Sequence, residues 1–340
     1  MTRRCWHFFV AFSLLLTGFQ VVVYGDSQEL GCPACEAVFK APASTGRGTP
    51  AGEDRDLLPR EVDDQKILVD AIACPYCLYA ANRNAWAPRV PLSEDVKDRI
   101  VKDKVLRLPG DVKHKKGRWD LPAWVRYDLI AQTSRLRNRP AIEEGFALLA
   151  ASWSVRLAWH LPISFQNEKM QLLENWEREN VNREEIMKAE DPAIAEIAAA
   201  EELSAKTAEL EGEHRIYPGL LALYLFRTHG ENQRAGEILS LLNGCLDPAQ
   251  YEVLLRSLES SVELEQSYQR RALAVLQNVS QYEEAQDMRV KALATYLCGE
   301  LNRRLGNFAE ARRYLKDVRK LKPSDERIRQ WAKEQLRLLP

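Results

Sequence analysis

The stretches CPAC at residues 32–35 and CPYC at residues 74–77 dominate the N-terminal part of the sequence. In each C-P-x-C stretch, two intervening residues let both thiolates of a tight turn face one ion, and proline presets the first turn dihedral. Two such turns supply the four sulfur ligands that Zn²⁺ binds tetrahedrally. We therefore predict one structural zinc ion, held by Cys32, Cys35, Cys74 and Cys77.

Short apolar segments flank the two stretches. AVF at residues 37–39 follows the first, and ILV at residues 67–69 precedes the second. If both are extended, this is the hairpin-and-knuckle layout of a zinc ribbon, so we predict a zinc-ribbon-like β module over residues 26–90. Residues 41–56 are rich in Pro, Gly and small residues and are predicted to form a mobile loop. Closing a longer loop costs roughly 0.6 kcal/mol per doubling of its length, far less than the roughly 10–16 kcal/mol from a structural zinc.

Two other interpretations of the cysteines stay open at this point. The stretch Cys74-Pro75-Tyr76-Cys77 also occurs as the active-site tetrapeptide of glutaredoxins, which would make the protein an exported thiol-disulfide oxidoreductase. Cys74 would then be the nucleophile and Cys77 the resolving thiol. Alternatively, each pair could close as a disulfide in an oxidising compartment. The second C-P-x-C has no function in the oxidoreductase interpretation, and a two-residue disulfide loop gains little chain entropy.

The chain begins with a predicted export signal, residues 1–25. Two arginines precede an apolar run over residues 5–24, and small residues allow cleavage after Gly25. We predict a periplasmic or extracellular protein. In the alternative, the run stays attached and anchors the protein in a membrane, since its length approaches the span of a bilayer.

The remainder, residues 91–340, is predicted to be α-helical, which makes the fold mainly α. Residues 140–161 form a strongly apolar segment in which Trp153 and Trp159 are candidate core residues. Residues 166–213 are acidic and predict one or two long helices broken at Asp191-Pro192. Cys245 and Cys298 lie in helical patterns and are expected to be small buried hydrophobes.

The C-terminal part carries a pattern typical of helical hairpins. Residues 292–325 resemble a 34-residue tetratricopeptide repeat, and LGNFAEA at residues 305–311 is its clearest part. A fainter copy has Gly230 and Ala235 in the same relation as Gly306 and Ala311. Residues 326–339 are predicted to form a capping helix. An irregular α bundle with a chance match is the alternative.

Together these features resemble an uncharacterised bacterial domain-of-unknown-function family. That family has two C-P-x-C knuckles near its N-terminus, followed by tetratricopeptide-like helices. The matching residues are the four knuckle cysteines, YAA at residues 79–81 and GELNRRLG at residues 299–306. The sequence departs from such knuckles at Glu36, where glycine is frequent after the second cysteine. The resemblance implies a metal-binding module on a helical domain, and it implies no activity.

The net charge and the motifs of the sequence exclude several classes of function. The chain has 48 Lys and Arg against 49 Asp and Glu, which excludes a globally basic nucleic-acid binder. The sequence contains no hydrolase elbow, phosphate-binding loop or dinucleotide fingerprint. We predict a non-enzymatic protein-interaction or scaffold protein that binds a protein or peptide partner on its helical-repeat surface, with no nucleic acid expected. The basic stretch 89–140 is interpreted as a solvated face.

Four arginines in the C-terminal helices could supply charge in the partner-binding groove. We interpret them instead as solvated helix surface. They are Arg303, Arg304, Arg312 and Arg313.

Overall fold

The computed structural model describes most of the chain after the predicted signal. The described residues are 27–43, 50–61, 66–86, 88, 91–110, 112–161, 192–282, 288–321 and 325–340. The predicted export signal, residues 1–25, and residues 166–191 of the acidic segment therefore lie outside the described residues. No helix within the described ranges is long and apolar enough to cross a membrane.

Three antiparallel β-hairpins form the N-terminal part. The first pairs β1 (Ser27–Gly31) with β2 (Val38–Pro42), and the second pairs β3 (Pro50–Glu53) with β4 (Pro59–Glu61). The third pairs β5 (Ala71–Ala73) with β6 (Ala80–Asn82), and each of the three sheets has two strands. Isolated two-stranded hairpins are marginally stable in water, so these need support from elsewhere in the molecule.

One predicted strand is helical. Residues 67–69 lie in α1 (Lys66–Asp70), and the strand of the second knuckle begins only at Ala71. The carbonyl groups of this helix are bound from a later helix: the Tyr127 hydroxyl donates to the Ile67 oxygen over 3.0 Å, and Arg126 donates to the Leu68 oxygen. Tertiary contacts thus override the extended preference of the apolar triplet.

Both ends of the predicted mobile loop, residues 41–56, contain β-strand residues. Ala41 and Pro42 belong to β2, and residues 50–53 belong to β3. Asp54 and Asp56, near the end of the predicted mobile loop, are 3% and 0% exposed. Ion pairs with distant arginines hold them there, as described below. Residues 44–49 of the predicted loop lie outside the described residues.

Helices are the main elements of the rest of the described chain, which confirms the mainly α prediction. Their bounds are α2 (Glu94–Val101), α3 (Ala123–Leu136), α4 (Ala141–Ala158), α5 (Pro192–Glu209), α6 (Ile216–Thr228), α7 (Asn232–Leu241), α8 (Pro248–Tyr282), α9 (Met288–Arg304), α10 (Phe308–Leu321) and α11 (Glu326–Leu338).

The central element is α4, which is buried on all sides between α3 and the long α8. Its apolar composition is that of a helix without a solvated face. Gly145 permits the close approach of α8, because a Cβ there would lie 2.9 Å from Cδ2 of Leu276. Trp153 is a core residue as predicted, and Trp159 packs in a second apolar cluster around α5, α6 and α7.

Helical hairpins occupy the places where repeat-like patterns were noted. α9 and α10 fill most of residues 292–325, α11 lies where the capping helix was predicted, and α6 and α7 form the upstream hairpin. Ala235 and Ala311 are both fully buried, and Gly299 lies against Leu315. The assignment of these hairpins to tetratricopeptide repeats stays a prediction.

Candidate metal centre and a buried charge network

The two C-P-x-C stretches fold into equivalent knuckles. In each, the first cysteine donates its backbone N–H to the residue five positions later, and its carbonyl accepts from the residue four positions later. These bonds are Cys32 N to Ala37 O (2.9 Å), Glu36 N to Cys32 O (2.9 Å), Cys74 N to Tyr79 O (2.8 Å) and Leu78 N to Cys74 O (3.0 Å). The two stretches therefore adopt the same turn despite their different neighbours.

The residue after each second cysteine is left-handed. Glu36 has φ 63° and Leu78 has φ 66°, a region that costs free energy for residues other than glycine. This conformation explains why glycine is frequent at the position and why Glu36 was a departure from the pattern. Both knuckles keep the turn although neither carries glycine there.

The knuckles face each other and bring the four sulfurs together. The Sγ atoms of Cys32 and Cys77 lie 3.6 Å apart, as do those of Cys35 and Cys74. All four sulfurs lie within 4.8 Å of one another. With Zn–S bonds of about 2.3 Å, sulfurs around a tetrahedral zinc lie about 3.8 Å apart, so this cluster could hold a metal ion. All four cysteines are free thiols, so neither knuckle is closed by a disulfide.

The thiols perturb one another strongly. A hydrogen bond with Cys74 raises the pKa of Cys32 to about 12, and the same bond lowers the pKa of Cys74 to about 2. A bond with Cys32 raises the pKa of Cys77 well above its usual range. The thiol groups of Cys32 and Cys77 thus stabilise the thiolate of Cys74 by donating hydrogen bonds to it. A divalent ion that binds here must displace the remaining protons, so metal affinity rises with pH.

Backbone amides and a later loop support the second knuckle. The N–H of Tyr76 points at the Cys74 sulfur over 3.4 Å, as the N–H of Ala34 does at Cys32. The Pro75 carbonyl lies 3.0 Å from Nε2 of His114 and accepts from the Gly117 N–H over 3.0 Å. Part of the basic stretch 89–140 therefore folds onto the knuckle, while its lysines at 113, 115 and 116 are exposed as predicted.

Trp86 joins the two hairpins that carry the knuckles, β1–β2 and β5–β6, which we call the knuckle hairpins. Its ring packs edge-on against Phe39 of β2, with centroids 5.5 Å apart, and at a tilt against Tyr79, with centroids 5.4 Å apart. Its indole N–H donates to the Gly31 carbonyl over 3.2 Å. The hairpins thereby form one unit, which continues into the core of α3 and α4. The four cysteines are placed by this packing and not only by their own turns.

A second cluster of ionisable residues, which we call the charge network, lies buried among the helices. It combines five carboxylates, four guanidinium groups and one imidazole. Its members are Asp54, Asp56, Glu196, Glu265, Glu300, Arg60, Arg156, Arg227, Arg304 and His229. Analysis of the sequence did not find it.

Arg156 of α4 is the centre of the charge network. Its side chain is fully buried, and its guanidinium donates to Asp56 Oδ2 (2.5 Å), Glu265 Oε1 (2.8 Å) and Asp54 Oδ2 (3.3 Å). Burial opposes ionisation of Asp56, but Arg156 and Arg304 outweigh it and lower the pKa of that carboxyl. The β3–β4 hairpin is thus bound to α4 and α8 by compensated charges.

His229 links the same hairpin to α5. Its Nδ1 lies 3.0 Å from Asp54 Oδ1, and its Nε2 lies 2.6 Å from Glu196 Oε2. Arg60 also approaches Nδ1 at 3.2 Å, but that guanidinium already has Asp54 and the Thr228 carbonyl as acceptors. A carboxylate at each ring nitrogen and the raised pKa of His229 favour the imidazolium form, in which both nitrogens donate. Its positive charge balances the fifth carboxylate of the network.

Two of the four C-terminal arginines contradict our interpretation of them as solvated. Arg304 is buried, donates to Glu300 over 2.8 Å and to the His229 carbonyl over 2.9 Å, and Arg303 also pairs with Glu300 at 2.8 Å. Glu300 is fully buried and could not remain charged there without them. Arg313 is exposed as expected, and Arg312 is half-buried and donates to the Pro340 carbonyl.

The sequence does contain a signal for this network. Arg227 is the single charged residue of α6, and Arg156 is the only charged residue of α4 after its first turn. A lone cation on a buried helix needs a buried anion. The identity of that anion could not be inferred, since the carboxylates that pair with Arg156 lie about 100 residues away along the chain.

The charge network makes stability depend on pH in two windows. Burial and Arg60 oppose protonation of His229, but Asp54 and Glu196 outweigh them and raise its pKa. The stabilisation from His229 is therefore complete below the unfolded pKa of about 6.5 and is lost as pH rises through the folded value. The depressed pKa values of Glu265 and Glu300 act oppositely, so their contribution is lost as pH falls below about 4.5.

We expect His229→Gln to lower the free energy of unfolding at pH 6 by about 1–3 kcal/mol, because a carboxylate is left unpaired. Urea unfolding of both proteins between pH 6 and 8.5 checks this. Wild-type stability should decline over that range, and the variant's decline should be smaller. If the free energy of unfolding declined equally with pH in the two proteins, the assignment of a positively charged His229 ring would be wrong.

Comparison with known proteins extends only to the helical part. A family described as an uncharacterized protein conserved in bacteria, DUF2225, matches residues 220–339, about a third of the chain. No curated protein and no solved structure matches the sequence. The match agrees with the expected uncharacterised bacterial family. It is narrower than the resemblance noted above, since the four cysteines lie outside it.

Proposed function

We propose that this protein is a non-enzymatic interaction scaffold whose N-terminal region is organised by one structural zinc ion. The observation that carries the proposal is the convergence of Cys32, Cys35, Cys74 and Cys77, whose sulfurs lie within 4.8 Å of one another. Four thiolates without an additional ligand are typical of a closed, structural zinc site. A site of this kind stabilises the fold and leaves no open coordination position for a substrate.

The energetics favour a structural ion. The knuckle hairpins are two-stranded, and their strands have only three to five residues. Strands of this length pair through few backbone hydrogen bonds, and a two-stranded hairpin is marginally stable by itself. A structural zinc supplies on the order of 10–16 kcal/mol. The ion would tie together two turns that are joined by a long connection in sequence.

The helices supply the interaction surface in this proposal. Hairpins packed side by side, as α9 to α11 are, present an extended surface that can bind a protein or peptide without any catalytic group. The location that suits the proposal is the periplasm or extracellular space, after cleavage near Gly25, or a membrane surface if residues 5–24 remain as an anchor.

A thiol-disulfide oxidoreductase is less well supported. In that mechanism Cys74 must be approached by an external disulfide, yet its residue is 0% exposed, and its sulfur lies 3.6 Å from that of Cys35 on the other knuckle. A nucleophilic thiolate reacts only when it is accessible. The lowered pKa of Cys74 arises from the neighbouring thiols of Cys32 and Cys77, whose protons a bound metal ion would replace.

The test is metal analysis combined with thiol titration on the native protein purified without chelator. We expect one zinc per chain and four thiols that react with a thiol reagent only after zinc is chelated. Insulin reduction should be absent. A metal-free protein with two disulfides, or insulin reduction that Cys74→Ser abolishes, would contradict the proposal.

A further inference from the structure

A cleft of about 510 Å³ lies between α10 and α11, near the C-terminal end of the chain. All seven residues that line it are polar or charged, and four of them are basic. The charged lining residues are Arg319 from α10 and Glu326, Arg329, Lys333, Glu334 and Arg337 from α11. The cleft is separate from Arg303 and Arg304, which pair with the buried Glu300, and from the exposed lysines of the basic stretch 89–140.

Both acidic residues of the cleft are already paired. Glu326 accepts from Arg329 of the same helix, and Glu334 forms an ion pair with Arg55 at 3.1 Å. Arg319, Lys333 and Arg337 are exposed, and none of them has an acidic partner among the described residues. The cleft therefore presents an uncompensated positive charge, although the whole chain has a net charge of only −1.

The spacing of the basic residues suits an extended chain. Arg329, Lys333 and Arg337 follow one another at intervals of four residues on α11, which places them about 6 Å apart along the helix axis. Alternate side chains of an extended peptide lie on one face, about 6.6 Å apart. A peptide with acidic residues at every second position could thus place successive carboxylates opposite successive cations.

We propose that this cleft binds an extended acidic segment of a partner protein, with Asp or Glu at alternate positions. The proposal rests on the interaction function proposed above and gives the chemistry of the partner. Carboxylates can pair bidentately with Arg319 and Arg337, while Lys333 adds a point charge between the helices.

A peptide fits the cleft better than a nucleic acid does. Proteins that bind single strands combine basic grooves with aromatic side chains on which bases stack. The cleft is lined by no aromatic residue. The nearby Trp331 is half-buried, and its ring lies 5.0 Å from the guanidinium of Arg55 and 5.7 Å from that of Arg327. The charged side chains and the amide of Gln330 can bind a peptide through ion pairs and hydrogen bonds, whereas the lining offers no ring on which a base could stack.

The test measures fluorescence anisotropy of a labelled peptide of alternating glutamate and alanine, titrated with the native protein purified without chelator. The double variant Lys333→Gln/Arg337→Gln should bind this peptide about two- to thirtyfold more weakly, the range for losing two exposed ion pairs. Its matched control, Lys115→Gln/Lys116→Gln, removes equal charge from the exposed basic stretch and should bind like wild type. A peptide with glutamine for glutamate should not bind.

Two results would overturn the proposal: equal peptide binding by the cleft variant and wild type, or tighter cleft-dependent binding of an oligothymidylate than of the peptide. The zinc and thiol measurements do not involve these side chains. Normal zinc content without peptide binding therefore overturns the cleft proposal alone, whereas a metal-free native protein that still binds the peptide overturns only the zinc scaffold.

Discussion

Cys74→Ser is expected to unfold the knuckle hairpins while the helices from α6 onward stay folded. A serine hydroxyl does not ionise at neutral pH and cannot replace a thiolate ligand, so the variant should lose zinc. The loss should be several kcal/mol, a substantial share of the roughly 10–16 kcal/mol that a structural zinc contributes. Hydrogen exchange followed by mass spectrometry should show rapid exchange in residues 27–43 and 71–86 and unchanged protection in residues 216–241.

Cys245→Ser is the matched control. Cys245 is half-buried, belongs to neither knuckle, and its sulfur lies 3.9 Å from the Leu241 carbonyl, which a serine hydroxyl could also bind. This variant should keep its zinc and wild-type exchange. If Cys74→Ser retained one zinc per chain and normal protection of both knuckles, the four-cysteine centre would be wrong.

Arg156→Met should be the most damaging substitution in the helical part. Methionine fills much of the same space, but three buried carboxylates, those of Asp54, Asp56 and Glu265, then lose a cation that each now contacts. Removing one partner of a buried ionic cluster costs about 3–5 kcal/mol. Urea unfolding monitored by circular dichroism at pH 7 should show this loss.

The exposed Arg256 on α8 provides the comparison. It pairs with Glu252 at the surface, and its side chain is 70% exposed, so Arg256→Met should change stability by less than about 0.5 kcal/mol. The cost of Arg156→Met should also shrink at acidic pH, where the three carboxylates can be protonated. A cost that stays constant between pH 4 and 7 would show that lost packing, and not unpaired charge, causes the destabilisation.

The local pattern of residues was sufficient to predict the class of the fold and the candidate metal ligands. The C-P-x-C spacing, the apolar length of α4 and the boundaries near Pro140 and Gly306 all depend on neighbours within a few positions. These features follow from backbone dihedrals and from side-chain periodicity, which a short window of sequence contains. For the same reason the cysteine cluster could be proposed before any coordinates were considered.

Contacts across the whole molecule decided the remaining features. Residues 67–69 are helical because side chains of α3 bind carbonyl groups of this segment. Asp54 and Asp56 are buried, and not part of a mobile loop, because they form ion pairs with Arg156 in the core. Arg304 became buried because Glu300 and Asp56 surround it. A buried charge is stable only beside a partner of opposite charge, and that partner can lie at any distance along the chain. The packing of the helices decides which residue becomes that partner, and no short stretch of the sequence determines this packing.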